Sequence, residues 1–235
     1  MRWRRNPTVC VILHRREDHV NLDGLRREVH YANIMLPRCA LVTMHSGNAS
    51  GYDPEAGRVL IKPSGFDYEQ LQPEHLVEVT IDGKILTADL KPSVDLPHHL
   101  YIYRHRPDTR GIIHTHSPYA TSFAALGRPI PVCLTAIADE FGGDIPCAPY
   151  VDNEGDHIGE AVVAAMGKSP AVLLGQHGVF AFGDSPRAAL KAAVMVEDVA
   201  RTVHLAMLMG EPGRLPPEEV GKWFSRYHER YGQRR

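Results

Sequence analysis

Cysteine is scarce in this chain. Cys10, Cys39, Cys133 and Cys147 stand far apart among 235 residues, and no two form a C-x-x-C pair. That spacing excludes a zinc ribbon and a disulfide framework, and it reads as reduced thiols in a cytoplasmic protein. No apolar run approaches the ~20 residues that a membrane-spanning helix needs. Net charge is almost absent, at −2. This argues against a general nucleic-acid binder or membrane-surface protein, because such proteins carry excess basic charge. Neither G-x-x-x-x-G-K-[ST] nor a strand-linked G-x-G-x-x-G occurs, which removes the nucleotide-binding fingerprints. There is also no internal repeat, low-complexity tract or linker.

What remains is an ordinary soluble composition, 43% hydrophobic and 23% charged, in a length that suits one large domain with a sizeable core. Residues 1–19 stand apart, with five arginines and no amphipathic period. They read as a disordered leader, and the organised domain is expected over 20–235. Leu22, Leu25, Val29, Ala32 and Met35 recur at helical steps until Pro37. A short buried strand is expected at 39–44, a tight loop at 45–50 and a strand at 58–62. An Asp82-Gly83 hairpin should join 76–81 to 84–90. Further helices are expected at 98–105, 119–126, 157–166, 185–208 and from 216, and further strands at 111–116, 148–151, 171–174 and 179–182. Interleaved helices and strands with hairpins imply a single α/β domain around a largely antiparallel sheet.

Histidine is abundant, with 14 residues. In GIIHTHS, His114 and His116 stand two apart on a strand, and period 2 puts both side chains on one face, where they can share a cation. In GQHGVF, His177 occupies a glycine-flanked turn where backbone can approach closely. Three neutral imidazoles form a common catalytic zinc shell with an open position. His14, His19, His30, His105, His204 and His228 read as surface residues. A carboxylate should accompany the trio. Asp95, in KPSVD, fits that role or that of a helix N-cap. Asp139 has Glu140 and Asp144 as rivals, and an exposed acidic loop is the plainer alternative.

Three segments, HSGNAS (45–50), KPSG (62–65) and KPS (91–93), place Gly, Ser, Asn and Lys where turns are expected. Backbone N–H groups, serine hydroxyls and a lysine make an anion nest if the fold brings such turns together. Taken singly, each is an ordinary turn.

In chain order, SGN, KPSG, KPSxD, HTHS nineteen residues past that Asp, ADxF and a late QHG resemble the class II aldolase/adducin-head family, from about Leu22 to Gln233. The Asp in KPSVD, the Asp139 motif and Tyr-Gly-Gln at 231–233 resemble its pentulose-phosphate 4-epimerase branch. The resemblance implies a three-layer α/β/α domain. It implies a zinc site at His114, His116 and His177 with Asp95 as the carboxylate ligand, open also to manganese or cobalt. It implies substrate and phosphate contacts at Gly47, Asn48, Ser64, Gly65 and Ser93, with Lys62 as a supporting cation. It implies acid/base roles for Asp139 and Tyr231, and a homotetramer whose active sites lie between subunits. Three positions depart from the branch: Val94 replaces a second serine, Ser46 replaces a tryptophan, and Val220 stands near where a C-terminal-helix histidine is usual.

The implied activity is inversion at C4 of a ketopentose phosphate by opening and re-forming the C3–C4 bond. A class II aldolase, or a decarboxylase or dehydratase of a phosphorylated sugar acid, would use the same parts. An adducin-like scaffold would share the fold but has no use for three ligand histidines.

Overall fold

The computed structural model describes residues 21–87 and 89–231. The expected leader and the Gly-Gln of the C-terminal motif lie outside them. Among the described residues a seven-stranded sheet runs in the order β3-β2-β1-β4-β7-β6-β5. Its strands are β1 (Asn48–Asp53), β2 (Arg58–Ile61), β3 (Val77–Thr80), β4 (Gly111–Thr115), β5 (Cys147–Ala148), β6 (Ala171–Leu174) and β7 (Gly178–Gly183). Every pairing is antiparallel except β5 with β6.

Helices cover both faces. Helices α1 (Asp23–Arg38), α3 (Pro118–Ala125), α4 (Thr135–Phe141), α6 (Pro186–Met207) and α7 (Pro217–Arg230) supply one apolar layer. Helices α2 (Leu96–His105) and α5 (His157–Met166) supply the other. The result is a three-layer α/β/α domain. Strands β4 and β6 are both buried along their whole length: β6 reads as a continuous apolar run, AVLL, while β4 carries His114 among its buried residues. Alternation survives in the destination of the side chains: Ile113 enters the first layer, while Ile112 enters the second. No helix among the described residues is long and apolar enough to cross a membrane.

The sequence signals for α6 act as expected. Ser185 Oγ accepts from Ala188 N, Pro186 occupies the first turn, and Ala189, Ala193, Val196 and Val203 face inward. Five expectations fail, the smallest being the strand at 148–151, which shrinks to the two residues of β5, Cys147–Ala148. The strand at 39–44 is irregular chain, because Ala40 and Met44 both take left-handed φ of 55°, which breaks an extended run. The loop at 45–50 gives way to β1 from Asn48 onward, since Asn48–Gly51 pairs with β4. The second arm of the Asp-Gly hairpin contributes only an isolated bridge, Val79 to Ile85. Helix α4 was not foreseen, so Asp139 sits on a helix rather than in an acidic loop.

Candidate active site

The site forms where β1, β4 and the β6–β7 turn meet the start of α2. His114 is buried near the end of β4, with its ring stacked on Phe180 of β7 at a centroid distance of 4.4 Å. Its Nδ1 lies 3.0 Å from the Val179 carbonyl oxygen. A carbonyl only accepts, so Nδ1 carries the proton and Nε2 presents its lone pair. His116, just past the strand, brings its Nε2 to 3.0 Å from that of His114. His177 follows Gln176, which holds a left-handed φ of 56° in the tight β6–β7 turn. One ligand nitrogen from each of the three rings lies within 4.8 Å of the others.

Gly178 makes this convergence possible. A Cβ there would stand 2.5 Å from Thr115 O and 2.6 Å from His116 Cδ2. Gly47 does the same on the other side: its φ is 73°, and a Cβ would meet Val42 at 2.6 Å and His114 O at 2.8 Å. The donor set suits a divalent cation. Nitrogens sharing a tetrahedral zinc at ~2.05 Å would be roughly 3.3 Å apart, close to the 3.0 Å observed for the first pair. Burial holds His114 at about 4, and it lowers His116 and His177 as well, so all three rings are available as neutral ligands at neutral pH.

Asp95 stands beside this group but not within it. Its carboxylate Oδ2 accepts from Asn48 Nδ2 at 2.6 Å and from Ser93 Oγ at 3.3 Å. Asp95 also holds the N-cap position of α2, where its carbonyl accepts from His99 N at 3.2 Å, but its side chain makes no capping bond. Burial pushes its carboxyl upward, but facing His114, His99 and the Asn48 amide bring the net shift downward.

The three turn segments come together. Ser93 N donates to Lys62 O at 3.0 Å, and Ser64 N donates to Lys91 O at 2.9 Å, which joins KPSG to KPS as a short antiparallel bridge. Lys62 is only 1% exposed. Its Nζ lies 4.6 Å over the Tyr68 ring and 3.5 Å from the His45 and Pro63 carbonyls. Burial pulls its ammonium down to about 8, against the opposing charge of Asp67.

One cavity of about 300 Å³ is lined by the three histidines, Asp95, Gly47, Lys62, Ser64, Gly65 and Ser93. Asn48 supports it from behind through Asp95. A neighbouring cleft of about 760 Å³ is larger and shares His45, but it holds none of the three clustered imidazoles. Chemistry rather than size therefore marks the site.

Asp139 and Tyr231 do not line this cavity. Asp139 is on α4, and Tyr231 follows α7, 70% exposed and stacked on Tyr227. The two helices pack against each other, with Phe224 of α7 against Gly142 at the end of α4. Sequence reading missed three lining residues, His45, His98 and Asn153. A signal existed for His98, since Asp95 and His98 are three apart at the start of a helix and so share a face. Two histidines expected at the surface are half-buried: His30 bonds the Leu71 carbonyl at 2.8 Å, and His204 packs edge-on against Tyr119.

The model of the class II aldolase and adducin N-terminal domain matches residues 27–204. The chain belongs to this family. It is 38% identical over 229 residues to the L-ribulose-5-phosphate 4-epimerase UlaF of Salmonella paratyphi A, which covers 91% of this chain and all of that protein. UlaF of Salmonella typhi matches equally, at 38% over the same span. Among solved structures, an L-fuculose 1-phosphate aldolase superposes with a TM-score of 0.82 at 30% identity, covering 87% of this chain and 96% of that one. The class II chain is accordingly an enzyme of the epimerase and aldolase type, and its fold is theirs.

Proposed function

We propose that this enzyme is an L-ribulose-5-phosphate 4-epimerase, a cytoplasmic homotetramer that holds a divalent cation on His114, His116 and His177. The observation that carries the reading is the shared cavity. It brings three converging neutral imidazoles into one cavity of about 300 Å³ with a buried lysine and the Ser64–Gly65 and Ser93 turns. Identity of 38% along the full length of the UlaF enzymes supports the choice within the family. When bound, zinc, manganese or cobalt supplies a Lewis acid for negative charge developing on the ketose oxygens.

The remaining work falls to the chain's own groups. Lys62, Ser64, Gly65 and Ser93 hold the phosphate by charge and hydrogen bonds. Holding that end keeps the aldehyde half in place while it turns over its other face between C3–C4 opening and re-forming. Asn48 holds the Asp95 carboxylate at 2.6 Å, aiming a fixed negative charge at the histidine group. Inversion needs a proton carrier on each face of C4, because the alkoxide leaves from one side and returns on the other. Asp139 and Tyr231 fill these roles from a neighbouring subunit, which accords with their position on the α4–α7 pair outside their own cavity.

Proton NMR of the zinc-loaded protein with L-ribulose 5-phosphate tests the reading, with D-xylulose 5-phosphate as the expected product. Ser46, which lines the cavity where the epimerase branch has a tryptophan, favours a second reading as an aldolase. Release of glycolaldehyde phosphate and dihydroxyacetone would establish that one instead. The same spectra of Tyr231→Phe should show epimerisation suppressed with metal content unchanged.

A further inference from the structure

His98 lines the cavity, yet the proposed chemistry gives it no role. It sits in the first turn of α2 and is 3% exposed, and it lines the same cavity as the three clustered histidines. Neither ring nitrogen makes a hydrogen bond among the described residues, and Nδ1 is both enclosed and without a partner. The neighbouring His99 is fully buried and also has an enclosed, unpaired nitrogen, its Nε2, but its Nδ1 is anchored by Ser50 Oγ at 2.7 Å and it lies outside the cavity lining, whereas His98 has neither ring nitrogen bonded and lines the cavity. A purely structural histidine would be expected to look like His99.

The orphaned atom constrains the tautomer. An enclosed N–H without an acceptor costs more than an enclosed lone pair without a donor, since buried unpaired donors are the rarer of the two in folded proteins. The proton therefore belongs on Nε2, the nitrogen not sealed off by the packing. Burial lowers the affinity of the ring for a second proton, with Asp95 and Asp156 opposing. This leaves a rigid donor, held by a helix turn, in a cavity of about 300 Å³ with no protein acceptor for it. Groups of this kind in binding sites are completed by a ligand.

We infer that His98 is a substrate-binding residue whose Nε2–H donates a hydrogen bond to a hydroxyl oxygen of the open-chain sugar phosphate. It would act on the carbohydrate part of the ligand, while Lys62 and the serine turns take the phosphate. The inference rests on the sugar-phosphate reading of the site and adds a determinant of which hydroxylated chain is accepted.

The test compares the full-length, metal-loaded wild type with His98→Phe and His98→Gln. Phenylalanine keeps the ring and removes the donor; glutamine places an amide N–H close to the position of Nε2. Each protein is titrated calorimetrically with L-ribulose 5-phosphate and, separately, with inorganic phosphate, alongside metal content and thermal melting. His98→Phe should bind the sugar phosphate ~10-fold more weakly, the typical penalty for leaving a ligand hydroxyl unpaired. Its affinity for inorganic phosphate, its metal content and its melting temperature should match the wild type, and His98→Gln should recover most of the sugar-phosphate affinity. Wild-type affinity in His98→Phe would overturn the inference and leave the sugar-phosphate reading standing. Loss of metal or of thermal stability in that variant would assign the ring a structural role and overturn it as well. A wild type that binds inorganic phosphate but not the sugar phosphate would remove the functional reading itself, and this inference with it.

Discussion

Alanine at position 178 would put a methyl group where the two strands that carry the histidines come closest. Gly178 does not have a positive φ, so alanine meets no backbone strain there. In an open strand position, Gly→Ala would be expected to stabilise by about 0.5–1 kcal/mol through reduced chain entropy. Here the new Cβ would stand 2.5 Å from Thr115 O and 2.6 Å from His116 Cδ2. The first is backbone and cannot swing aside, so β4 and β7 must separate or His116 must turn. Overpacking of this kind costs about 1–3 kcal/mol, which outweighs the entropic gain. For a chain of this size that is a fall in melting temperature of roughly 2–10 °C. Displacing a ligand ring should also weaken zinc retention ~10–100-fold. Calorimetric melting and elemental analysis after dialysis against a weak chelator would measure both. A Gly178→Ala protein that melts at or above the wild-type temperature and keeps its metal would refute the claim that this close approach shapes the site.

Other perturbations probe separate parts of the molecule. Lys62 loses proton affinity on folding, so its penalty is fully present below pH 8 and is relieved as pH rises from about 8 toward the ordinary lysine range. Lys62→Met should therefore gain about 1–3 kcal/mol in urea unfolding at pH 7, gain less at pH 10, and lose inorganic-phosphate binding; a destabilised variant at pH 7 would contradict this. In the wild type, phosphate affinity should fall as pH rises above about 8, measurable by calorimetry. Asn48→Ala leaves Asp95 Oδ2 with only the 3.3 Å contact to Ser93, and should cost about 1.5–3 kcal/mol in denaturant unfolding. An unchanged midpoint would mean that this bond does not hold the carboxylate. Glu197 of α6 accepts from Tyr119 N at 3.0 Å and Ala120 N at 2.9 Å, capping α3 directly after the histidine strand. Glu197→Ala should cost about 1 kcal/mol and lower the melting temperature by roughly 2–4 °C, and an unaltered melt would deny it the capping role.

Period and punctuation carried most of the architecture. The helix at 157–166 and the strand at 171–174 occur within the bounds their patterns indicate, and Ser185 starts α6 by the bond its side chain type predicts. Where local rules failed, something non-local had decided. The apolar run at 39–44 could have been a strand, but tertiary packing turned it twice through left-handed residues, with Leu41 buried between them. Asn48–Ser50 looks like a turn in isolation and becomes a strand because β4 offers it a partner. The seven residues of α4 are too few to announce a helical period.

The sequence by itself pointed to the histidine cluster. Two imidazoles at period 2 and a third between glycines can be read from residue types, because strand geometry fixes the face each side chain takes. The rest lay in separations that no local pattern encodes. Only the folded chain joins Lys62 to Ser93 across a bridge, seats Asn48 against Asp95, and opens the His98 ring into the same cavity. The folded chain also sets Asp139 on α4 and Tyr231 just past α7, outside the lining of that cavity. Those contacts arise because buried polar groups must find partners wherever the packing of the layers allows them, and that is settled by the tertiary structure as a whole.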